Sequence, residues 1–366
     1  MVAVSWLVMQ ATDPRRVFEV FRVALVLGLT SFGGPIAHLG YFEREYVRRR
    51  AWLGADAYAG LVALCQVLPG PASSQVGFLV GLHRAGWAGA FAAWVGFTLP
   101  SALLLFGAAL VAGRLDGPLF AAVVYGLKLV AVLVVAQAVW NMARRLCRTV
   151  VTAGLAIGAA LALVWLHGAA AQVLVLLVAA IAGVLLCRGA AVPAPVLSLP
   201  VSHRAGVLAL VLFAVLLAGL PLFAALFPDA LATQAALFYR AGALVFGGGH
   251  VVLPLLRDAF VPAGLIPDGA FLTGYGLAQA VPGPLFTVAS WLGANASPDS
   301  PAVGALLGTV MIFLPGLLIA VAGAALWNQA ARHPGFRAAL AGINAAVVGL
   351  LAAALCDLVV HALFAA

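Results

Sequence analysis

Residues Gln66–Gln75 read QVLPGPASSQ, and residues Gln279–Val288 read QAVPGPLFTV. Each sets two prolines around a glycine inside a run of apolar residues, where a membrane-crossing helix would otherwise continue. Proline removes a backbone donor and clashes with the preceding turn, so the triplet stops a helix or bends it sharply. Two such breaks in the same words point to a duplication, and three further pairs extend it. SFGGPIAHL from Ser31 matches VFGGGHVVL from Val245, and FTLPS from Phe97 matches IFLPG from Ile312. YGLKLVAVLV from Tyr125 matches AGINAAVVGL from Ala341, and the four pairs keep their order at offsets of 213 to 216 residues. The expected division is an N-terminal repeat over 1–145, connecting transmembrane helices and linker over 146–231, and a C-terminal repeat over 232–366.

Around these motifs the chain is mostly hydrocarbon. Of its 366 residues 65% are apolar and 8% are charged, more apolar side chain than one water-soluble core can hide. Runs such as 149–166, 169–187 and 206–227 come near or exceed the length that crosses about 30 Å of hydrocarbon. The net charge of +8 comes mainly from arginines in short loops, at 15–16, 44–50, 144–148 and 332–337. The positive-inside rule accounts for that pattern, so nucleic acid is not an expected partner. No cleavable signal peptide is expected at the N-terminus. Cys65, Cys147, Cys187 and Cys356 have no CxxC spacing and are expected to pack rather than bridge or bind metal.

The apolar stretch 17–32 ends at Gly33-Gly34-Pro35, and the charged IAHLGYFEREYVRRR that follows is too short to span. Arginines at 15–16 and 48–50 place both ends of this segment on the cytoplasmic face, which predicts a re-entrant hairpin. Residues 56–68 and 73–83 form a second, hinged at Pro69-Gly70-Pro71. Non-helical backbone at membrane depth is tolerated only where protein buries it or water lines it, so the tips should face an internal cavity. Full spans are expected over 86–112, 118–142, 149–166, 169–187 and 206–227, and these five crossings place the second repeat upside down. Two more spans, 301–327 and 338–361, leave the C-terminus outside and the N-terminus cytoplasmic; Arg114 and Arg257 fall on the wrong side. The fold class predicted is an all-α polytopic membrane protein of two inverted-topology repeats, each with two re-entrant helical hairpins plus transmembrane helices. Inverted repeats with broken helices mark transporters, with the substrate at the repeat interface near the midplane.

The chemistry available at such tips suits an anion. A half-helix that starts at mid-membrane points unpaired N–H groups and a positive dipole end inward, worth up to about 2 kcal/mol when partly buried. Gly33 and Gly34, Pro69, Gly70 and Pro71, Gly247, Gly248 and Gly249, and Pro282, Gly283 and Pro284 would supply four such starts. Ser73, Ser74, Gln75 and Thr287 add neutral donors. The plainer alternative is that the breaks are kinks packed against neighbouring helices. Lys128, the chain's one lysine, falls mid-span opposite its repeat partner Asn344, and a lysine there costs about 2.5–3.5 kcal/mol unless it is used, paired or snorkelling. Arg240 is a second embedded cation, and Arg22 lies nearer the cytoplasmic face. His38, Glu43, Glu45 and His250 are proton-coupling candidates, or else an interfacial polar patch. No catalytic set, metal cluster or cofactor motif is present, so catalysis, metals and cofactors are not expected.

FGGPIAHLGYFEREYV, then Trp52, then LCQVLPGPASSQ, together with FGGGHVVLPLL and LAQAVPGP in the second half, resemble the chromate ion transporter (CHR) family in its long, two-domain form. The resemblance covers nearly the whole chain. It implies export of chromate from the cytoplasm across the inner (plasma) membrane, giving chromate resistance, with sulfate as a related anion. The expected partners are then chromate, with sulfate as the second candidate, the lipid bilayer and a second copy of the chain in a homodimer. The second half departs from the family pattern, with His250 in place of an aromatic residue and Arg257-Asp258-Ala259 in place of an acidic one. Those departures bear on proton coupling and substrate range. The rival expectations are a sulfate or other anion permease and, from another class, a membrane-embedded enzyme or redox-complex subunit.

Overall fold

Polar caps placed just outside apolar runs fix where the helices begin. Asp13 accepts the Arg15 N–H at 3.0 Å, with Pro14 at the first helical position, and opens α1 (Pro14–Thr30). The chain then runs through α2 (Gly34–Phe42), which continues as a π-helical turn over Glu43–Arg49, and α3 (Ala55–Val67) into α4 (Ala72–Ala112). A reciprocal Thr149–Thr152 cap starts α5 (Val150–Trp165), which is followed by α6 (Ala169–Leu186). Ser202 caps α7 (His203–Leu226), and Asp229 caps α8 (Ala230–Ala243) through the Leu231 and Ala232 amides. The chain closes with α9 (Val252–Phe260), α10 (Asp268–Ala280), a 3₁₀ turn over Leu285–Thr287, α11 (Val288–Ala296), α12 (Pro301–Ala330) and α13 (Pro334–Phe364). The computed structural model describes residues 13–32, 34–112, 147–166, 169–187, 199, 201–227, 229–245, 252–330 and 333–364, with single positions between 133 and 146. Gly33, Lys128, Gly247, Gly248, Gly249, His250 and most of the span expected over 118–142 lie outside them.

The described residues form an all-helical chain. Four of its helices are long and apolar enough to cross a membrane: Ala72–Val111, His203–Leu226, Pro301–Leu326 and Pro334–Ala353. The first is bent at Ala85 and Gly86 (φ 64°), so α4 consists of a half-length piece and a longer one, as the sequence reads. α5 and α6 rise about 24 and 27 Å at 1.5 Å per residue, slightly short of a 30 Å core. Along α7 the side chains of Leu208, Val215 and Leu222 point outward. That face is intolerable in water and suited to lipid.

Positions in the matched sequence motifs of the two halves make similar contacts. α1 lies along the second half of α4 and α8 lies along α12. The Phe97 carbonyl sits 2.6 Å from where a Cβ on Gly28 would be, and the Ile312 carbonyl closes off Gly242 in the same way. The two halves of α4 meet backbone to backbone at Gly81 and Gly89, and α11 meets α12 at Gly293 and Gly304. α13 packs against α5 and α6.

Candidate functional site

Each PGP triplet closes against the other half of the chain. The Gly70 N–H donates to the Val245 carbonyl at 2.6 Å, and the Gly283 N–H donates to the Ser31 carbonyl at 2.9 Å. Ser31 and Val245 are themselves partners in the sequence match, so the bonds are reciprocal. Side-chain space is reciprocal too. A Cβ on Gly70 would come within 2.7 Å of the Gly316 Cα, and one on Gly283 within 2.8 Å of the Ser101 Oγ, where Ser101 and Gly316 again match. Both glycines have positive φ, 118° and 100°, which L side chains rarely adopt.

These contacts alter the expected roles of several residues. The Gly70 and Gly283 amides are expected to face a ligand; instead each is bonded to a carbonyl in the other half of the chain, because a buried unpaired amide costs about 1–3 kcal/mol. Gln75 is buried and its amide donates to the Pro69 carbonyl at 2.7 Å and the Gly316 carbonyl at 2.9 Å. Thr287 Oγ1 donates to the Pro284 carbonyl at 2.7 Å. Both side chains hold the turns instead of presenting free donors. The Gln75 N–H returns to the Pro71 carbonyl, and Pro71 Cδ rests against Gly316. Pro69, Pro71, Pro282, Pro284 and Gly34 (φ 78°) thus shape the crossing.

Around the crossing lie buried polar groups with nothing to bond. Among the described residues, Ser31 Oγ, Ser74 Oγ, Thr98 Oγ1 and Gln75 Oε1 have no hydrogen-bond partner; Asn344 Oδ1, elsewhere on α13, has none among them either. His38 is buried beside Ser73, Nδ1 and Oγ 3.4 Å apart, with its ring edge-on to Phe97 at 5.4 Å. At about 1–3 kcal/mol for each unsatisfied group, the three hydroxyls are an expense that a ligand or water would offset. Ser31, Thr98 and Ser101 escape notice in the sequence because Ser and Thr are ordinary in membrane helices. The signal was there: all three lie inside the duplicated motifs.

Charge is distributed unevenly about this centre. Arg240 of α8 is partly buried and lines a recess with Gln172 of α6 and Asp258 of α9, neither of which stands out in the sequence. Arg257, out of place in the expected topology, is neutralised by Asp268 at 2.8 Å. Glu43 and Glu45 sit on the π-helical turn among arginines: Glu43 with Arg48 at 2.8 Å, and Glu45 with Arg50 at 2.6 Å and Arg49 at 3.2 Å. Burial would raise the Glu45 pKa, but the hydrogen bonds from Arg50 and Arg49 outweigh it and hold the carboxyl below its ordinary value. Its contribution to stability is therefore present at neutral pH and is lost as pH falls through that lowered value. Glu19 joins the group by bridging Arg50 at 3.2 Å and Arg84, at the bend of α4, at 3.0 Å.

The sequence profile described as "Chromate transporter" matches the chain twice, over residues 18–184 and 232–366. The chain belongs to the chromate transporter family. It is therefore a multi-pass membrane protein from a family of transporters, not of enzymes. It is 28% identical over 360 residues to a chromate transport protein of Pseudomonas aeruginosa, an alignment covering 93% of this chain and 80% of the relative. A probable chromate transport protein of Synechococcus elongatus is 30% identical over 344 residues, covering 92% and 83%. A chromate transport protein of Cupriavidus metallidurans is 26% identical over 335 residues, covering 90% and 79%. No solved structure matches the chain.

Proposed function

We propose that the chain exports chromate from the cytoplasm through the crossing of its two repeats. The observation that carries this reading is the reciprocal bonding of Gly70 to Val245 and of Gly283 to Ser31 beside buried, partnerless hydroxyls. Family membership and relatives named as chromate transport proteins support it.

In this reading α1 with α2, and α3 with the first half of α4, are re-entrant hairpins from the cytoplasmic face. α8 with α9, and α10 with α11, are their inverted counterparts. The first turns of α4 and of the 3₁₀ turn aim free amides and positive dipole ends at the crossing, and Ser31, Ser74 and Thr98 add neutral donors. Neutral donors suit an anion that must be released again. Arg240 supplies charge, Lys128 and Asn344 are further contacts, and the glycines at 33 and 247–249 complete the tips. His38 and His250 are the proton-coupling candidates; Glu43 and Glu45 contribute to the cytoplasmic ion-pair cluster. A dianion leaving a cell held at about 100 mV, interior negative, gains about 4.6 kcal/mol, so export can run downhill while uptake would need several protons.

Sulfate is the second reading, since hydroxyls and amides recognise any tetrahedral oxyanion. The discriminating experiment compares chromate-sensitive cells with and without the protein. Lower chromate accumulation and higher resistance are expected, with sulfate competing and chloride competing weakly. Unchanged accumulation and resistance would remove the export reading.

A further inference from the structure

Threonines within these helices follow a common habit. Thr30, Thr233, Thr273 and Thr309 each donate the hydroxyl to the carbonyl four residues back, at 2.7 to 3.0 Å. Thr98 of α4 departs from it: among the described residues its Oγ1 has no hydrogen-bond partner, and it is sealed from solvent. One turn earlier on the same face, the indole Nε1 of Trp94 is sealed and unpartnered as well. A buried indole N–H ordinarily finds an acceptor, so two uncommitted donors on successive turns require a reason.

That face of α4 looks across to the second half of the chain. The Trp94 ring meets Phe313 of α12 edge-on, with centroids 5.9 Å apart, and a Cβ on Gly283 would meet the Ser101 Oγ at 2.8 Å. Ser101 Oγ donates to the Thr98 carbonyl at 3.1 Å, and Ser290 Oγ of α11 donates to the Ala102 carbonyl at 2.9 Å. Those two hydroxyls are engaged; Trp94 and Thr98 are not. Across the seam the pattern is reversed. The match of FTLPS with IFLPG sets Thr98 against Phe313 and, carried back four residues, Trp94 against Thr309. Thr309 has bonded its own helix, and Phe313 offers only hydrocarbon, packed on Phe286 at 5.6 Å. At this level the spare donors lie on the first half.

We propose that Trp94 Nε1 and Thr98 Oγ1 are an oxyanion-binding pair, donating to oxygens of one tetrahedral anion as it passes between the two halves. The proposal rests on the transport reading above and names side chains that recognise the cargo. Residues one turn apart on a helix face have Cβ atoms about 5–6 Å apart, a span that a single anion can bridge. An indole N–H donates and cannot accept, so it favours a ligand made of acceptors. Both donors are neutral and hold an anion without an ion pair that would hinder release. Hydrogen bonds to a charged group are stronger than those between neutral groups, which offsets leaving the pair unpartnered in the anion-free protein. Both atoms are shut from solvent in this structure, so the anion reaches them when the seam between α4 and α12 parts.

The test is calorimetric binding of sulfate to the purified full chain, beside its melting temperature without anion and chromate flux in vesicles. Thr98→Val keeps the shape and removes the hydroxyl. It should bind sulfate about tenfold or more weakly and raise the KM for chromate. It should nevertheless melt no earlier than the wild type, because the group it deletes has no partner. Thr98→Ser restores a hydroxyl and should bind nearly as the wild type does. Trp94→Phe keeps a ring against Phe313 but loses the N–H, and should weaken sulfate binding by a similar factor. Wild-type affinity in Thr98→Val or in Trp94→Phe, or a loss in Thr98→Ser equal to that of the valine, would overturn the proposal. So would earlier melting of Thr98→Val, since its hydroxyl would then already be engaged, or a wild type that moves chromate without binding sulfate. If the wild type moves chromate and a variant keeps its affinity, only this pair fails; if the wild type moves no chromate, the transport reading fails.

Discussion

Gly70 and Gly283 occupy equivalent turns but are hemmed in by different atoms, and the difference is measurable. Any side chain at either position is strained by the positive φ, at about 1–2 kcal/mol. Beyond that, Gly70→Ala would press its methyl against the Gly316 Cα, backbone that cannot rotate away. Gly283→Ala meets the Ser101 Oγ, which can turn, although the Gly28 carbonyl stands at 3.3 Å. Overpacking of this kind costs about 1–3 kcal/mol, so Gly70→Ala should lower the melting temperature of the detergent-purified protein more than Gly283→Ala. Equal melting shifts would mean that the crossing is looser on the Gly316 side than its geometry states.

At the scale of elements, one side chain ties the turn after α3 to α12. The Gln75 amide bridges the Pro69 carbonyl and the Gly316 carbonyl, the latter 241 positions from Gln75 in the chain. Gln75→Leu keeps the bulk but strands one buried and one partly buried carbonyl, and a loss of about 1–3 kcal/mol in stability is expected, read as an earlier thermal transition with insertion unchanged. An unaltered transition would show that the bridge holds nothing. This partnership was beyond the reach of the sequence. The PGP breaks and the bend after His83 were legible because proline and glycine act locally. Which carbonyl receives Gly70, that Gln75 faces inward to Gly316, and that Gln172 of the connecting segment meets Arg240 all depend on long-range packing, which no local pattern encodes. Arg257 looked misplaced for the same reason, since its counter-charge Asp268 belongs to the next helix.

For the whole molecule, the proposal is that one repeat is inserted upside down relative to the other. A reporter active only in the cytoplasm should then work when fused after Arg144 and fail when fused after Ala366. Activity at both points would imply an even number of intervening crossings and would exclude inversion. The central claim is that an oxyanion passes where the two repeats meet, and flux tests it most directly. Vesicles containing only this protein and loaded with chromate should release it faster than protein-free vesicles, and faster still when the interior is made negative, because each charge gains about 2.3 kcal/mol per 100 mV on leaving. Gly70→Leu and Gly283→Leu, shown to be inserted and folded, should release it no faster than protein-free vesicles. Protein-free rates from the wild type, or wild-type rates from both leucine variants, would contradict it.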